Sequence, residues 1–333
     1  MSVITVASAS VRPGSVSPLQ ALLRLVKKYT FAFALVLSVI LFIVNGFQTG
    51  WNIGLTAQLA LLAPTALAAM ASAPPIISGR GGFDLSISPI MVMSSSIYVA
   101  WLVPRGIDGT LAIIIMLAIG AAIGAVNGMM IVGLRIPPVV ATLSMYFILQ
   151  GVDLLIIPSP ISVQGSQLAV FAGNIGPIPG PLFLLLFPLV VWWLLGLLPY
   201  RSLLTAVGSN DTAAYSAGVK VALVRGGAYV LGGFFAGAGG VAIIAATNSA
   251  SAALAATYAL PGVAAVALGG TSLLGGRGGL FGPLLGAAAI FLLGNLFVAV
   301  QVNPSWLQVM YGSMLIVAVV FVAYAGIATG GSK

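Results

Sequence analysis

Apolar stretches of about twenty residues follow one another along nearly the whole chain, with short turns between them and hardly a charge inside. About 20 helical residues, at about 1.5 Å each, cross the roughly 30 Å of a bilayer's hydrocarbon. The pattern predicts an all-α polytopic membrane protein. Ten segments qualify or come close: about 30–47, 53–73, 84–103, 110–132, 137–157, 181–199, 226–246, 259–275, 281–300 and 306–326. The eighth, interrupted by Pro261 and several glycines, is expected to be a partial span, or one arm of a re-entrant pair with the ninth.

Charge placement fixes the expected orientation. With a cytoplasmic amino terminus, Arg12, Arg24, Lys27, Lys28, Arg80, Arg135, Arg201, Lys220, Arg225, Arg277 and Lys333 all fall inside. Arg105 alone falls outside. Cytoplasmic loops are enriched in Lys and Arg, so this asymmetry supports the count and puts both termini inside. Trp51, Trp101 and Trp306 fall at outer boundaries, and Tyr29 and Tyr200 at inner ones. The net charge of +8 is thus a topology signal and not a nucleic-acid one. Residues 1–29 read as a cytoplasmic tail, 30–326 as one transmembrane domain, and 327–333 as a second tail. The first span, with its basic flank and apolar core Phe31–Val44, is read as an uncleaved anchor, since no small-residue cleavage pattern follows it directly.

Composition then removes whole classes of chemistry. The chain has no His and no Cys, and its only acids are Asp84, Asp108, Asp153 and Asp211. An imidazole base, a thiolate and a His/Cys metal cluster are excluded, and no cofactor or metal is expected. Residues 269–286 hold eight glycines in eighteen. They lack the spacing of a phosphate-binding loop, so close helix packing or an unwound segment beside a pathway is the better reading. Arg277, expensive at mid-bilayer, belongs at the inner surface.

Two loops are long. The outer one, 158–180, is uncharged and holds Pro158, Pro160, Pro177 and Pro179; it either caps an entrance or connects two spans. The inner one, 199–225, contains a short helix over 210–217. Ser209 or Asn210 caps it, Asp211 suits its positive end, and Gly218 suits its stop. A helix this short needs a dock, either on this chain's own inner face or in a partner's groove. Asp84 reads as a helix cap, as a partner of Arg80, or as the group that holds a broken helix end. Asp153 reads as a polar contact along the pathway or as a side chain reaching interfacial water. Asn127 and Asn295 read as amides bonding neighbouring helices. Arg-Gly-Gly occurs at 80–82 and again at 277–279, on two inner turns, which hints at a parallel internal repeat.

Four stretches carry a resemblance. Ala206, Gly208, Asn210, Ala213, Ala214, Gly218 and Val219 match the pattern Ala-x-Gly-Gly-Asn-x-x-Ala-Ala-x-x-Ser-Gly-Ile, with Ser209, Asp211-Thr212 and Ala217 as departures. Val266-Ala267-Leu268-Gly269-Gly270-Thr271-Ser272-Leu273, then Gly275, Gly276 and Gly278, is similar to a second run. Ser78-Gly79 with Gly82-Phe83-Asp84-Leu85-Ser86 is a third, and Asn127-Gly128 with Ile136-Pro137-Pro138 and Thr142-Leu143 a fourth. The chain resembles sugar-type ABC transporter permeases, the family of ribose, xylose and galactofuranose importers. The resemblance implies a non-catalytic permease subunit in the bacterial inner membrane, carrying a monosaccharide. Its partners would be a second permease copy, separate ATPase subunits and an external solute-binding protein. It implies ATPase coupling through Gly208, Asn210, Asp211, Ala213, Ala214 and Gly218. Pathway or gating candidates are Asp84, Asp153, Gly269, Gly270, Thr271 and Ser272. Gly278, Gly282-Pro283 and Gly286-Ala287 also resemble the branched-chain amino-acid branch, so amino acids or nucleosides are the alternative solutes. A proton-coupled transporter is disfavoured because only Asp84 and Asp153 could carry a proton, both near span ends.

Overall fold

The computed structural model describes residues 31–50, 54–303, 305–313, 316 and 320. The expected tails at 1–29 and 327–333, and most of the tenth segment, lie outside them. The helices are α1 (Ala32–Thr49), α2 (Leu55–Ile77), α3 (Ile87–Ile97), α4 (Gly109–Gly128), α5 (Pro138–Ile156), α6 (Pro181–Leu197), α7 (Tyr200–Ser209), α8 (Asp211–Ser216), α9 (Val221–Thr247), α10 (Ala255–Leu268) and α11 (Phe281–Ala299). Residues 305–313 are helical as well. A π turn, Tyr98–Leu102, and a 3-10 turn, Val103–Arg105, extend α3, and a π turn, Met129–Gly133, extends α4.

Among the described residues, six helices are long and apolar enough to cross a membrane, or seven if α6 and α7 count as one span bent by 89°. The chain is therefore a multi-pass, mostly helical membrane protein. Two expectations change. The eighth segment is helical over Ala255–Leu268 rather than 259–275, because Gly270 turns left-handed at φ +74 just past its end. At 14 residues α10 covers about 21 Å, short of the hydrocarbon thickness. The inner loop holds one helix more than expected, α7, which starts after the extended Leu198–Pro199 step and buries Leu204 and Val207.

Helices α2, α3 and α9 form the interior, whereas α4, α5 and α11 keep wide apolar faces exposed. The tightest crossing is α4 on α9. A Cβ added at Gly120 or Gly124 would strike the carbonyl of Gly233 or Tyr229, and one at Gly233 would strike that of Gly120. Removing side chains at these positions lets two backbones touch, which is how helices associate where no hydrophobic force separates them from lipid. Four two-residue strands depart from the all-α expectation. Ile161–Ser162 pairs antiparallel with Ser249–Ala250, and Asn174–Ile175 with Ile178–Pro179. They organise the 158–180 loop, which Asp108 also holds by accepting from the Gln167 amide at 2.9 Å and the Tyr98 hydroxyl at 2.6 Å.

Candidate functional site

Three loops meet at the end of the bundle that carries Arg80, Arg225 and Arg277: the α2–α3 turn, the α7–α8 junction and the α10–α11 turn. The sequence builds α8 locally. Asn210 is extended (φ −160, ψ 99) and its side-chain oxygen accepts from the Ala213 amide at 3.0 Å. Gly218 (φ +83) ends the helix, with the Val219 amide returning to the Ala214 carbonyl at 3.0 Å. Both ends of a six-residue helix are thus satisfied, but helix formation alone would not hold it.

What holds it is the chain's own core. The Asp211 carboxylate lies 2.5 Å from Nε of Arg80 and 3.2 Å from Nη2 of Arg225. The same Nη2 reaches the Ser78 carbonyl at 3.5 Å. Burial favours the neutral acid, but the hydrogen bond from Arg225 and the charges of Arg80 and Arg225 outweigh it and hold Asp211 below its ordinary 3.8. One acid therefore ties α8 to the turn before α3 and to the first turn of α9.

Beside this clamp the backbones interlock. The Gly276 amide donates to the Ile77 carbonyl at 2.9 Å. A Cβ at Gly208 would meet Ile77 and Gly276, one at Gly79 would meet Gly208, and one at Gly275 would meet Gly79. Three turns touch here main chain to main chain. The surface above them is apolar in part: Tyr215 is 74% exposed and Leu274 is 86% exposed, while Ala214 on the opposite face of α8 is buried.

The remaining sequence candidates fall elsewhere. Arg80 pairs with Asp211 and not with Asp84, so the Arg80–Asp84 reading is replaced. Asp84 accepts from the Ser86 amide at 2.9 Å and the Ser86 hydroxyl at 2.6 Å, fixing the turn into α3. Asn127 donates to Ser86 Oγ at 2.7 Å and joins α4 to that turn. Asn295 donates to Gln58 at 2.7 Å, joining α11 to α2. Gly269 packs on Gly282 and Pro283 without side-chain clearance, and Thr271 is buried. The Ser272 amide donates to the Arg277 carbonyl at 3.1 Å, which closes the 269–280 turn on itself. Gly269 to Ser272 thus shape the interlocked turn. Asp153 is wholly buried between α5 and its neighbours, away from any surface.

A cleft of about 460 Å³ lies between α1, α2 and α11. Its amides are already engaged, Asn295 with Gln58 and Asn45 with the Leu292 carbonyl at 3.0 Å, so it offers a solute few free polar groups. No group of three or more potential metal ligands occurs among the described residues. Sequence reasoning missed Arg80 and Arg225 as partners of Asp211. The signal was present, because Asp211 is the only acid in a loop otherwise carrying Arg201, Lys220 and Arg225.

Comparison with known proteins places the chain in a family. The family described as "Branched-chain amino acid transport system / permease component" matches residues 28–319. The ribose import permease protein RbsC of Bacillus subtilis is 32% identical over 245 residues, covering 72% of this chain and 76% of that protein. The fructose import permease protein FrcC of Rhizobium meliloti is 30% identical over 261 residues, covering 74% and 72%. A probable ABC transporter permease, YphD of Escherichia coli, is 33% identical over 292 residues, covering 86% and 87%. No solved structure matches the chain.

Proposed function

Since the chain belongs to the family of branched-chain amino acid transport system permease components, we propose that it is the membrane-spanning subunit of an ATP-driven importer for a monosaccharide. The observation that carries this reading is α8, a capped helix too short to stand alone, pinned to the core by Asp211, Arg80 and Arg225 and interlocked through Gly208 and Gly276. It is built to receive a push from below and pass it on. A separate cytoplasmic ATPase supplies that push, since the sequence has no phosphate-binding Gly-x-x-x-x-Gly-Lys-Ser/Thr loop of its own. Displacement of α8 moves the α2–α3 and α10–α11 turns with it and pulls on the start of α9.

The pathway forms between this chain and a second permease copy, identical or homologous, in the bacterial cytoplasmic membrane. Of its ten spans, α10 is the partial one, and both termini lie inside. An external solute-binding protein delivers the solute to the side bearing the 158–180 loop. A sugar is favoured because relatives are named for ribose, fructose and allose import. The family description names branched-chain amino acids, which are the second reading.

The test is purification from native membranes followed by reconstitution. An ATPase is expected to co-purify, and vesicles containing the assembly to take up sugar only with ATP and a binding protein. Uptake by this chain alone down a proton gradient would overturn the proposal. Uptake of leucine but not of pentoses or hexoses would keep the importer and replace the solute.

A further inference from the structure

The indole N–H of Trp192 is a buried donor that nothing in the fold uses. The residue is 5% exposed, and Nε1 meets no acceptor among the described residues. A buried tryptophan N–H ordinarily finds a partner, because an unmade hydrogen bond forfeits hydration without return. This nitrogen stands beside the α10–α11 turn. A Cβ added at Gly279 would have Trp192 Nε1 at 3.7 Å and no other such neighbour within 4 Å, so the donor borders open space next to that turn.

Positive charge gathers round the same space. The Arg201 guanidinium folds back over the Trp192 ring, its Cζ 5.4 Å from the ring centroid. Gly196 gives it room, since a Cβ there would lie 3.2 Å from Nη1. Arg277 is exposed on the turn itself, and the Gly278 and Gly279 amides meet no acceptor among the described residues. Helix α11 starts at Phe281 without a side-chain cap, which leaves the positive end of its dipole open. No carboxylate side chain of this protein balances that charge. Asp211 is taken by Arg80 and Arg225, Asp108 by Tyr98 and Gln167, and Asp84 by Ser86, while Asp153 is buried in α5.

The setting indicates which anion belongs here. The apolar helix α6 bends by 89° into α7 at this corner, and Trp193, Leu197 and Leu198 beside Arg201 are exposed. An exposed apolar face that leads to unpaired arginines matches acyl chains below a headgroup phosphate. We propose that Trp192 Nε1, Arg201, Arg277 and the open start of α11 bind the phosphate of an anionic phospholipid, whose acyl chains lie along Trp193 and Leu197. The guanidinium groups and the indole donate to phosphate oxygens, and charge assistance makes the arginine bonds the stronger ones. The lipid joins the α6–α7 corner to the α10–α11 turn, which is the turn interlocked with Gly208. The proposal rests on the multi-pass membrane reading and on neither the solute nor the orientation, so it can fail or stand independently of the importer assignment.

Native mass spectrometry of the full-length protein, in detergent supplied with phosphatidylglycerol or phosphatidylcholine, tests this. Wild type is expected to retain phosphatidylglycerol several-fold better than phosphatidylcholine, and to unfold at a higher temperature with it. Arg201→Gln and Arg277→Gln should each cut that retention several-fold. Trp192→Phe, which keeps a ring and removes the N–H, should cut it as well. Arg135→Gln is the control, because Arg135 is equally exposed but follows the Met129–Gly133 turn, away from Trp192. Its loss should leave retention unchanged. Equal losses in all four variants would show surface charge alone and overturn the proposal, as would equal retention of the two lipids by wild type. Stabilisation by inorganic phosphate, with no response to phosphatidylglycerol, would overturn it in favour of a free anion. Loss of ATPase co-purification in Arg201→Gln, with lipid retention unchanged, would overturn it in favour of a protein partner. If Trp192→Phe fails to fold, the two arginine variants decide.

Discussion

Oδ2 of Asp211 lies 3.2 Å from Nη2 of Arg225, joining the first residue of the shortest described helix to the first turn of the longest. Arg80 reaches the same oxygen at 2.5 Å. The two contacts are not equivalent. The Arg80 side chain is 67% exposed and that of Arg225 is 12% exposed, so solvent screens the first and hardly the second.

Arg80→Ala is therefore expected to cost less than about 1 kcal/mol of stability, in the range of exposed ion pairs. Arg225→Ala should cost distinctly more, because it strips the carboxylate of its buried partner and frees the Ser78 carbonyl as well. Thermal unfolding of the two variants in detergent checks the order. Equal losses would contradict the picture of one strong and one weak arm.

Asp211→Asn is expected to separate fuel use from transport. The helix keeps its Asn210 cap but loses both ionic ties, so ATP is hydrolysed while solute uptake falls at least several-fold. ATPase and uptake assays on the same vesicles measure the ratio. An unchanged ratio would mean the clamp does not transmit force.

Glycine at the interlocked turns has no substitute. Gly208→Ala would place a methyl group against the Ile77 carbonyl and Gly276, at an overpacking cost of roughly 1–3 kcal/mol. Gly226, where nothing lies within 4 Å of an added Cβ, is the control in the second turn of α9. Its replacement by Ala should be neutral or slightly stabilising, since alanine favours helix by roughly 1 kcal/mol over glycine.

The two faces of α8 can be distinguished by charge. Ala214 is buried against the core, whereas Ala213 is exposed. Ala214→Glu should release α8 from its own protein and lower thermal stability. Ala213→Glu should leave stability intact and weaken capture of the ATPase, as read by co-purification. Identical behaviour of the two would remove the assignment of separate inner and outer faces.

Acid should loosen the same dock. The folded protein holds Asp211 below 3.8, so the folded state binds this proton less readily than the unfolded one. The ionic contribution is complete above the ordinary carboxylate value and drains away as pH falls through the lowered folded value. Proteolysis of the 199–220 region is expected to be constant from neutral pH to mildly acidic pH and to rise below it. In Asp211→Asn that rise should be absent.

Much of this was legible in the chain before folding. Segment length and lack of charge required membrane helices, because hydrocarbon leaves a backbone no other donor or acceptor. The cap at Asn210 and the stop at Gly218 follow from chemistry within a few residues, and they stand where the sequence places them. The extent of α10 and the existence of α7 were less legible. Both depend on where a glycine turns left-handed or an amphipathic stretch finds a surface, and apolar content in a window does not report either.

The sequence by itself determined the class of protein, the loop that carries α8 and the positions of the glycine-rich turns, since each rests on local propensity and on transfer into lipid. The tertiary structure alone decided that the 77–79, 208–209 and 275–276 turns are one contact, and that Asp211 and not Asp84 takes Arg80. Those are pairings between residues as much as about 200 positions apart. Periodicity says which face of a helix is apolar, but only packing says what that face meets.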